Sequence, residues 1–348
     1  GRMHNLYRKY GTPAKVTWVS KSIPPTDLGS TVVHVKSIFD LEDAAYDDVI
    51  YFGANARTVE QLFPKVAANG LFNIVLEGER FGKPVVTMVG RVHYGGIRII
   101  GTTGTDPAES MKYIPKTGEI RHDEIVNVVG AGGPMGMMHV IRNICQGVEG
   151  VTVYAGDVDD NRLAALSQIA QPLAQKNGID YRPYNAKNEQ MELDYSYTVL
   201  MAPVPELVAG AVHCAASRGI INIFAGIPAT VTGQIDLDAY IEKRLYFVGT
   251  SGSTLDDMKR MLEKVESDQL DTNVSVAAIS GFEGAVDGIR AVENRLIAGK
   301  IMVYPACRNL GLTRLEELAV KMPDVAACLN HGLWTREAEK TLLEKHAD

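Results

Sequence analysis

The sequence has few cysteines and no long apolar run. Its four cysteines, Cys145, Cys214, Cys307 and Cys328, show no C-x-x-C spacing, which disfavours a disulfide framework and a structural zinc knuckle. No apolar stretch approaches the roughly 20 residues needed to span a bilayer, and the opening segment lacks a signal-peptide core. We therefore expect a cytoplasmic protein with no membrane partner.

Basic residues are also in the minority. The chain carries 35 lysines and arginines against 42 aspartates and glutamates, a net charge of −7, and it has no long basic run. A protein that binds the phosphate backbone needs a basic surface. Nucleic acid is therefore excluded as an expected partner.

Apolar residues and glycine are abundant. The 348 residues are 46% hydrophobic and include 33 glycines, enough for two cores and for many tight strand-to-helix turns. Apolar runs alternate with segments of helical pattern, such as 58–70, 205–219 and 253–267. Near-continuous apolar strands between helices are typical of parallel sheets covered on both faces. The predicted class is doubly wound, Rossmann-type α/β.

Part of the chain is repeated. When Gly1 is set on Gly136, the opening segment follows the later one without a gap, with Val16 on Val151 at a constant offset of 135 residues. Later strands and helices of the two halves also match. We therefore predict two tandem units, the first incomplete because its opening strand and most of its glycine loop are missing. The expected domains are 1–120, a partial Rossmann-like unit, 121–305, a complete NAD-binding domain, and 306–348, a helical extension in which Thr335 caps a helix.

A glycine-rich loop follows the strand IVNVV and opens the next helix, the context in which such a loop binds a dinucleotide. Small residues let the backbone approach a diphosphate, which free N–H groups and the helix dipole would stabilise. The spacing departs from G-x-G-x-x-G, because the frame that ends at Gly136 begins at Ala131. A tight turn without ligand is the alternative. The candidate cofactor-binding residues here are Gly130, Gly132, Gly133, Pro134, Met135 and Gly136.

An acid follows the loop at the distance expected of a ribose ligand. Asp157 lies 21 residues after Gly136, at the end of the strand VTVYAG, where a carboxylate accepts hydrogen bonds from the adenosine ribose and repels a 2′-phosphate. This favours NAD over NADP. The alternative interpretation of Asp157 is a solvated acid in a loop. Arg162 is a further candidate that contacts the ribose or caps the next helix. In the first half the position of Asp157 is held by Ser22, so that half either prefers a 2′-phosphate or has lost its cofactor.

Small residues end several strands of the second half, where the crevice of a doubly wound sheet lies. They are candidates for the nicotinamide end of the cofactor, or they simply close the strands. The residues are Ala202, Ala225, Gly226, Thr250 and Ser251. His93 and Tyr94 precede the matching turn of the first half, and we interpret them as a packed pair.

Several of these runs resemble a known family. The segments VVGAGGPMG, GDVDDNRL, IINIFAG, LYFVGTSGSTLDDMKRML and GKIMVYP are similar to the cofactor domain of zinc-dependent medium-chain dehydrogenases and reductases. The tail that begins LTRLEELAVKMPDVAACL resembles the sorbose-1-phosphate reductase and polyol dehydrogenase branch. The resemblance extends from about residue 121 to residue 345, and residues 1 to 115 resemble the same domain less closely.

The resemblance implies hydride transfer between a nicotinamide and a polyol or sugar, including a sugar phosphate. In that family a zinc ion held by Cys, His and usually Glu in a separate N-terminal catalytic domain polarises the oxygen. No group in this chain matches those ligands, so we assign no catalytic or metal residue and expect zinc only in the missing domain. Family members pair through edge strands, which predicts a homo-oligomer or pairing of the two units within one chain. The alternative functions are a non-catalytic NAD-sensing or scaffold module with one degenerate unit, and a methyltransferase-like domain that binds an adenosyl cofactor.

Overall fold

The computed structural model describes residues 2–25, 27–189, 194–249, 251–294, 296–297 and 299–348. The strands are β1 Lys15–Val19, β2 Thr31–Val35, β3 Tyr46–Phe52, β4 Val66–Val75, β5 Val85–Thr87, β6 Arg98–Thr102, β7 Ile125–Val129, β8 Thr152–Asp157, β9 Asp180–Asn185, β10 Tyr195–Leu200, β11 Ala215–Ile223, β12 Gly233–Ile235, β13 Tyr246–Val248, β14 Val276–Ser280, β15 Lys300–Val303 and β16 Thr313–Arg314. The helices are α1 Arg2–Tyr10, α2 Ala56–Leu62, α3 Gly90–Gly95, α4 Pro107–Met111, α5 Pro134–Cys145, α6 Asp160–Asn177, α7 Pro205–His213, α8 Leu237–Glu242, α9 Leu255–Glu266, α10 Phe282–Glu293, α11 Leu318–Lys321, α12 Pro323–Ala326 and α13 Arg336–Lys345. None of the helices in these ranges combines the length and apolar character needed to cross a bilayer.

The largest sheet has six strands in the order β13-β11-β10-β7-β8-β9. The ladders β8–β9, β10–β11 and β11–β13 are parallel. Counted from β7, this is the 3-2-1-4-5-6 order of a Rossmann fold. The predicted α/β class is therefore confirmed, together with its helical C-terminal region.

The chain forms two compact units, each built from two stretches of sequence. Unit 1 contains Gly1–Asn127 and Met191–Ser253, and unit 2 contains Val128–Gln190 and Thr254–Asp348. Each unit combines residues that are distant in the chain. The predicted domain boundaries near residues 120 and 305 instead divide the chain between its repeats. Those boundaries stay a prediction.

Within unit 1 the two halves of the repeat share the same irregularity. The β3–β4 ladder shifts register between Tyr46 and Asp48, and the β10–β11 ladder shifts between Tyr195 and Tyr197. A left-handed residue lies in each bulge, Asn69 at φ 60° in β4 and Arg218 at φ 63° in β11. Because a bulge is a specific backbone feature, its presence at matching positions supports the duplication inferred from the sequence.

The two halves also exchange contacts inside unit 1. Strand β5 pairs antiparallel with β12, and β6 lies beside β13. A Cβ at Gly101 of β6 would lie 2.6 Å from Ile241 of α8, and one at Gly249, just after β13, would lie 3.2 Å from the Cα of His93 in α3. Helix α8, which precedes β13, therefore covers β6, and helix α3, which precedes β6, covers the end of β13.

Unit 2 ends in a small mixed sheet. Strand β14 pairs parallel with β15 and antiparallel with β16, and the last helices close over it around Trp334, which is 1% exposed. The extension predicted as helical therefore also contains one strand, because Thr313 and Arg314 complete this sheet. The hydroxyl of Thr335 accepts a hydrogen bond of 3.0 Å from the Ala338 N–H, which confirms the predicted cap.

Candidate cofactor-binding site

The glycine-rich loop of unit 2 is fixed to the strand beside it. Gly130 turns the chain at φ 86°, a conformation that only glycine adopts freely. The N–H groups of Gly130 and Ala131 both donate to the carbonyl of Gly156 in β8, at 2.8 and 2.9 Å. The loop therefore leaves its strand in a defined direction and reaches the amino end of α5.

Two further glycines leave no room for a side chain. A Cβ at Gly132 would lie 2.9 Å from Asp157 Oδ2 and 2.6 Å from the Cβ of Arg162. A Cβ at Gly136 would lie 2.1 Å from the carbonyl oxygen of Gly130. Both positions require glycine for steric reasons, and their role in binding a cofactor stays a prediction.

Helix α5 begins without a side-chain cap. Gly133 occupies the N-cap position and makes no side-chain hydrogen bond, and Pro134 is the first helical residue. Proline has no N–H group, so its position costs no donor. The remaining N–H groups of the first turn and the positive end of the helix dipole are suited to an anion such as a diphosphate.

Asp157 joins the loop to the carboxyl end of β8. Its Oδ2 accepts a hydrogen bond of 2.8 Å from the Gly132 N–H, and its Oδ1 accepts from the N–H groups of Val158 and Asp159 at 2.8 and 3.2 Å. The residue is 7% exposed, which excludes the solvated loop acid considered from the sequence. A carboxylate has about four acceptor positions, so one remains for a further donor.

Two cations lie near this loop. The backbone N–H of Arg162 donates to Oδ1 of the N-cap residue Asp159 at 3.2 Å, and the Arg162 guanidinium lies 3.9 Å from the same carboxylate. Lys300, at the start of β15, places Nζ 4.0 Å from the sulfur of Met135 at the first turn of α5. Sequence reasoning missed Lys300, because 165 residues separate it from Met135 and no local pattern marks it.

The remaining candidates lie in unit 1, at the ends of β10, β11 and β13. The Ala225 N–H donates to the carbonyl of Leu200 at 2.9 Å, and the carbonyl of Ala202 accepts from Val204 at 2.8 Å. Ser251 is exposed, and Thr250 lies outside the described residues. Ala202 and Ala225 close the strand ends, and the assignment of all these candidates to the nicotinamide stays a prediction.

His93 and Tyr94 lie beside two of these strand ends in unit 1. His93 is 8% exposed and its Nδ1 donates to the carbonyl of Ile223 at 3.0 Å. The two rings pack edge to face with centroids 4.7 Å apart, as expected for a packed pair. A Cβ at Gly226 would lie 2.9 Å from the Tyr94 hydroxyl, a proximity that the sequence did not indicate.

Across the described parts of the chain, no three His, Cys, Asp or Glu side chains come together as a metal site would require.

Comparison with known proteins gives partial matches. No model of a protein family matches the chain. The sequence is 25% identical over 319 residues to the Escherichia coli protein YggP, a match that covers 84% of this chain and 71% of YggP. It is 25% identical over 248 residues to mannitol-1-phosphate 5-dehydrogenase of Aliivibrio fischeri, covering 65% of this chain and 57% of that enzyme. It is 30% identical over 154 residues to L-sorbose 1-phosphate reductase of Klebsiella pneumoniae, covering 43% and 36%.

Solved structures overlap with about half of the chain. L-idonate 5-dehydrogenase from Escherichia coli superposes with a TM-score of 0.42 at 14% identity, covering 52% of this chain and 50% of that one. The 2R,3R-butanediol dehydrogenase from Bacillus subtilis gives a TM-score of 0.44 at 15% identity, covering 54% and 52%. The chain thus spans about half the length of these enzymes.

Proposed function

We propose that this chain is the NAD(H)-binding portion of an oxidoreductase that transfers a hydride between a nicotinamide and a polyol or sugar, including a sugar phosphate. The observation that carries the proposal is the hydrogen bond from the Gly132 N–H to Asp157. It joins the two elements that would hold a dinucleotide, the loop at the amino end of α5 and the acid at the end of β8.

The residues of unit 2 fit the adenosine diphosphate part of NAD. Gly132 and Gly136 keep the surface of the loop free of side chains, and the first turn of α5 offers N–H groups. The remaining acceptor position of Asp157 suits a ribose hydroxyl. The charge of Asp157 disfavours the 2′-phosphate of NADP. When bound, NAD supplies the hydride acceptor, and the residues of the chain bind and orient it.

The names of the relatives support the substrate class. Two of the curated relatives are a mannitol-1-phosphate dehydrogenase and a sorbose-1-phosphate reductase. Both names describe oxidation or reduction of a phosphorylated polyol or sugar. We assign no catalytic residue, since nothing in the described residues matches the zinc ligands that the family resemblance implies.

The proposal predicts that Gly132→Ala weakens NADH binding by a factor of roughly 5 to 150, because overpacking costs about 1–3 kcal/mol and 1.4 kcal/mol corresponds to a factor of ten. Isothermal titration with NADH measures this. Gly210→Ala is the matched control, because its Cβ meets no atom within 4 Å. Failure of the unaltered chain to bind NADH would contradict the proposal.

The second prediction concerns cofactor choice. Asp157→Asn keeps the size of the side chain and removes its charge, so the preference for NADH over NADPH should shrink. Parallel titrations with the two cofactors measure the ratio of affinities. An unchanged ratio would show that Asp157 does not face the adenosine ribose.

A further inference from the structure

Helix α3 of the first half lies at the carboxyl ends of two strands of the second half, all within unit 1. The Nδ1 of His93 donates to the carbonyl of Ile223, the last residue of β11, at 3.0 Å. A Cβ at Gly249, just after β13, would lie 3.2 Å from the Cα of His93. Because open α/β sheets bind ligands at the carboxyl ends of their strands, a helix of the first half borders the crevice of the second.

The hydroxyl of Tyr94 is held at this place with its hydrogen-bonding capacity unused. The Tyr94 ring packs edge to face on His93, which is 8% exposed, and a Cβ at Gly226, shortly after β11, would lie 2.9 Å from the hydroxyl oxygen. Tyr94 is 51% exposed, and among the described residues its hydroxyl has no hydrogen-bond partner. A buried anchor therefore presents a polar group over an exposed glycine.

The two halves of the repeat differ at this position. Gly96 after α3 and Arg244 after α8 are both left-handed, at φ 63° and 57°, and lie 148 residues apart. The same offset sets Glu242 opposite Tyr94, and the carboxylate of Glu242 is paired with Arg80. The half without a ribose-binding acid thus receives a side chain that is already paired, whereas the half that has this acid receives a free hydroxyl.

The order of the sheet indicates which part of a dinucleotide lies beside Tyr94. Strand β8, which ends at Asp157, lies on one side of β7, and β10, β11 and β13 lie on the other. A dinucleotide crosses such a sheet where the strand order reverses, so a cofactor with its adenosine at Asp157 has its nicotinamide over β10, β11 and β13. The nicotinamide carries a carboxamide, which has both donors and an acceptor, and a tyrosine hydroxyl can pair with either.

We propose that Tyr94 is a cofactor-binding residue whose hydroxyl forms a hydrogen bond with the nicotinamide carboxamide. This inference rests on the proposed function and adds to it a residue from the first half of the repeat. The missing side chain at Gly226 leaves room for the carboxamide beside the hydroxyl, and His93 keeps the Tyr94 ring in place through its own bond to β11.

Titration of the chain with NADH and with ADP-ribose, which lacks the nicotinamide ring, tests the inference. Tyr94→Phe keeps the aromatic ring, so the affinity for NADH should fall roughly two- to tenfold, the contribution of one hydrogen bond. The affinity for ADP-ribose should stay the same, which also shows that the variant is folded. Tyr10→Phe makes the same change at a side chain 48% exposed and should alter neither affinity.

Two outcomes would overturn the inference and leave the proposed function standing. The first is an unchanged affinity of Tyr94→Phe for NADH. The second is an equal loss of affinity for NADH and ADP-ribose, which would mean that Tyr94 acts through the shape of the crevice. If the unaltered chain bound neither ligand, the proposed function would fail and this inference with it.

Discussion

At the scale of single residues, Tyr240 joins the two halves of the repeat within unit 1. Its side chain is 1% exposed, its hydroxyl donates to the Ile99 carbonyl of β6 at 2.8 Å, and it accepts from the Phe247 N–H of β13 at 3.0 Å. Burial raises the pKa of this hydroxyl far above its ordinary value. The group therefore stays protonated and keeps its role as a donor.

We expect Tyr240→Phe to lower the free energy of unfolding by about 1–3 kcal/mol, because it leaves a buried carbonyl and a buried N–H without partners. Urea denaturation measures the change. Tyr10→Phe, at a side chain 48% exposed, should leave the midpoint unchanged. Equal effects of the two substitutions would contradict the bridging role.

We expect His139 in α5 to make the stability of the protein depend on pH. Burial lowers its pKa and nearby Arg142 lowers it further, whereas the Met135 carbonyl acts in the opposite direction. Because folding disfavours the charged ring, its contribution to stability is complete above the unfolded value of about 6.5 and is lost as the pH falls through the lower folded value.

His139→Gln should therefore reduce the loss of stability between pH 7.5 and pH 5.5. Urea midpoints at the two pH values measure it. The same pH dependence in the variant and in the unaltered chain would exclude His139 as its source.

The sequence predicted those parts of the candidate site that are close together in the chain. The glycine loop follows from steric demands that recur at fixed spacing, and Asp157 follows from the length of one helix and one strand. Lys300 and Tyr94 were not predicted, because their proximity to the loop and to Gly226 arises only from the fold. Local patterns carry no information about such long-range contacts.

At the scale of elements, the two strands that carry the bulge, β4 and β11, begin inside segments that the sequence predicted as helix. The segment 58–70 was predicted as one helix, but α2 ends at Leu62 and β4 begins at Val66. The second half behaves in the same way, with α7 ending at His213 and β11 beginning at Ala215. Alanine-rich segments favour helix by propensity, and here strand pairing within a parallel sheet outweighs that preference.

The bulge also predicts an asymmetry between the two halves. Arg218 pays the steric cost of a left-handed backbone, about 1–2 kcal/mol, whereas Asn69 tolerates it. Arg218→Gly should therefore stabilise the protein by about 1 kcal/mol and Asn69→Gly by much less. Thermal denaturation of both variants measures the difference. A larger gain at residue 69 would contradict the argument.

At the scale of the whole molecule, contacts within unit 1 make the halves of the repeat dependent on each other. Strand β12 has β5 as its partner, and Phe247 of β13 is 0% exposed. The sequence revealed the duplication but not this exchange, because an offset between repeats does not say how the repeats pack.

A fragment of residues 121–348 should therefore not behave as an independent monomer. Removal of β5, α3 and β6 uncovers β12 and β13, so the fragment is expected to self-associate and to bind a hydrophobic dye more strongly than the full chain. Light scattering after size-exclusion chromatography measures the first effect. A monodisperse monomer that melts at the temperature of the full chain would contradict this expectation.

The reciprocal cover of the edge strands also constrains how the protein evolves. Gly101 has to remain small for as long as Ile241 fills the space above it. Gly249 also has to remain small, because a Cβ there would lie 3.2 Å from the Cα of His93 in α3. A change in one copy of the repeat can then be compensated only in the other copy. We therefore expect substitutions in the two halves to be correlated at positions such as 101 and 241.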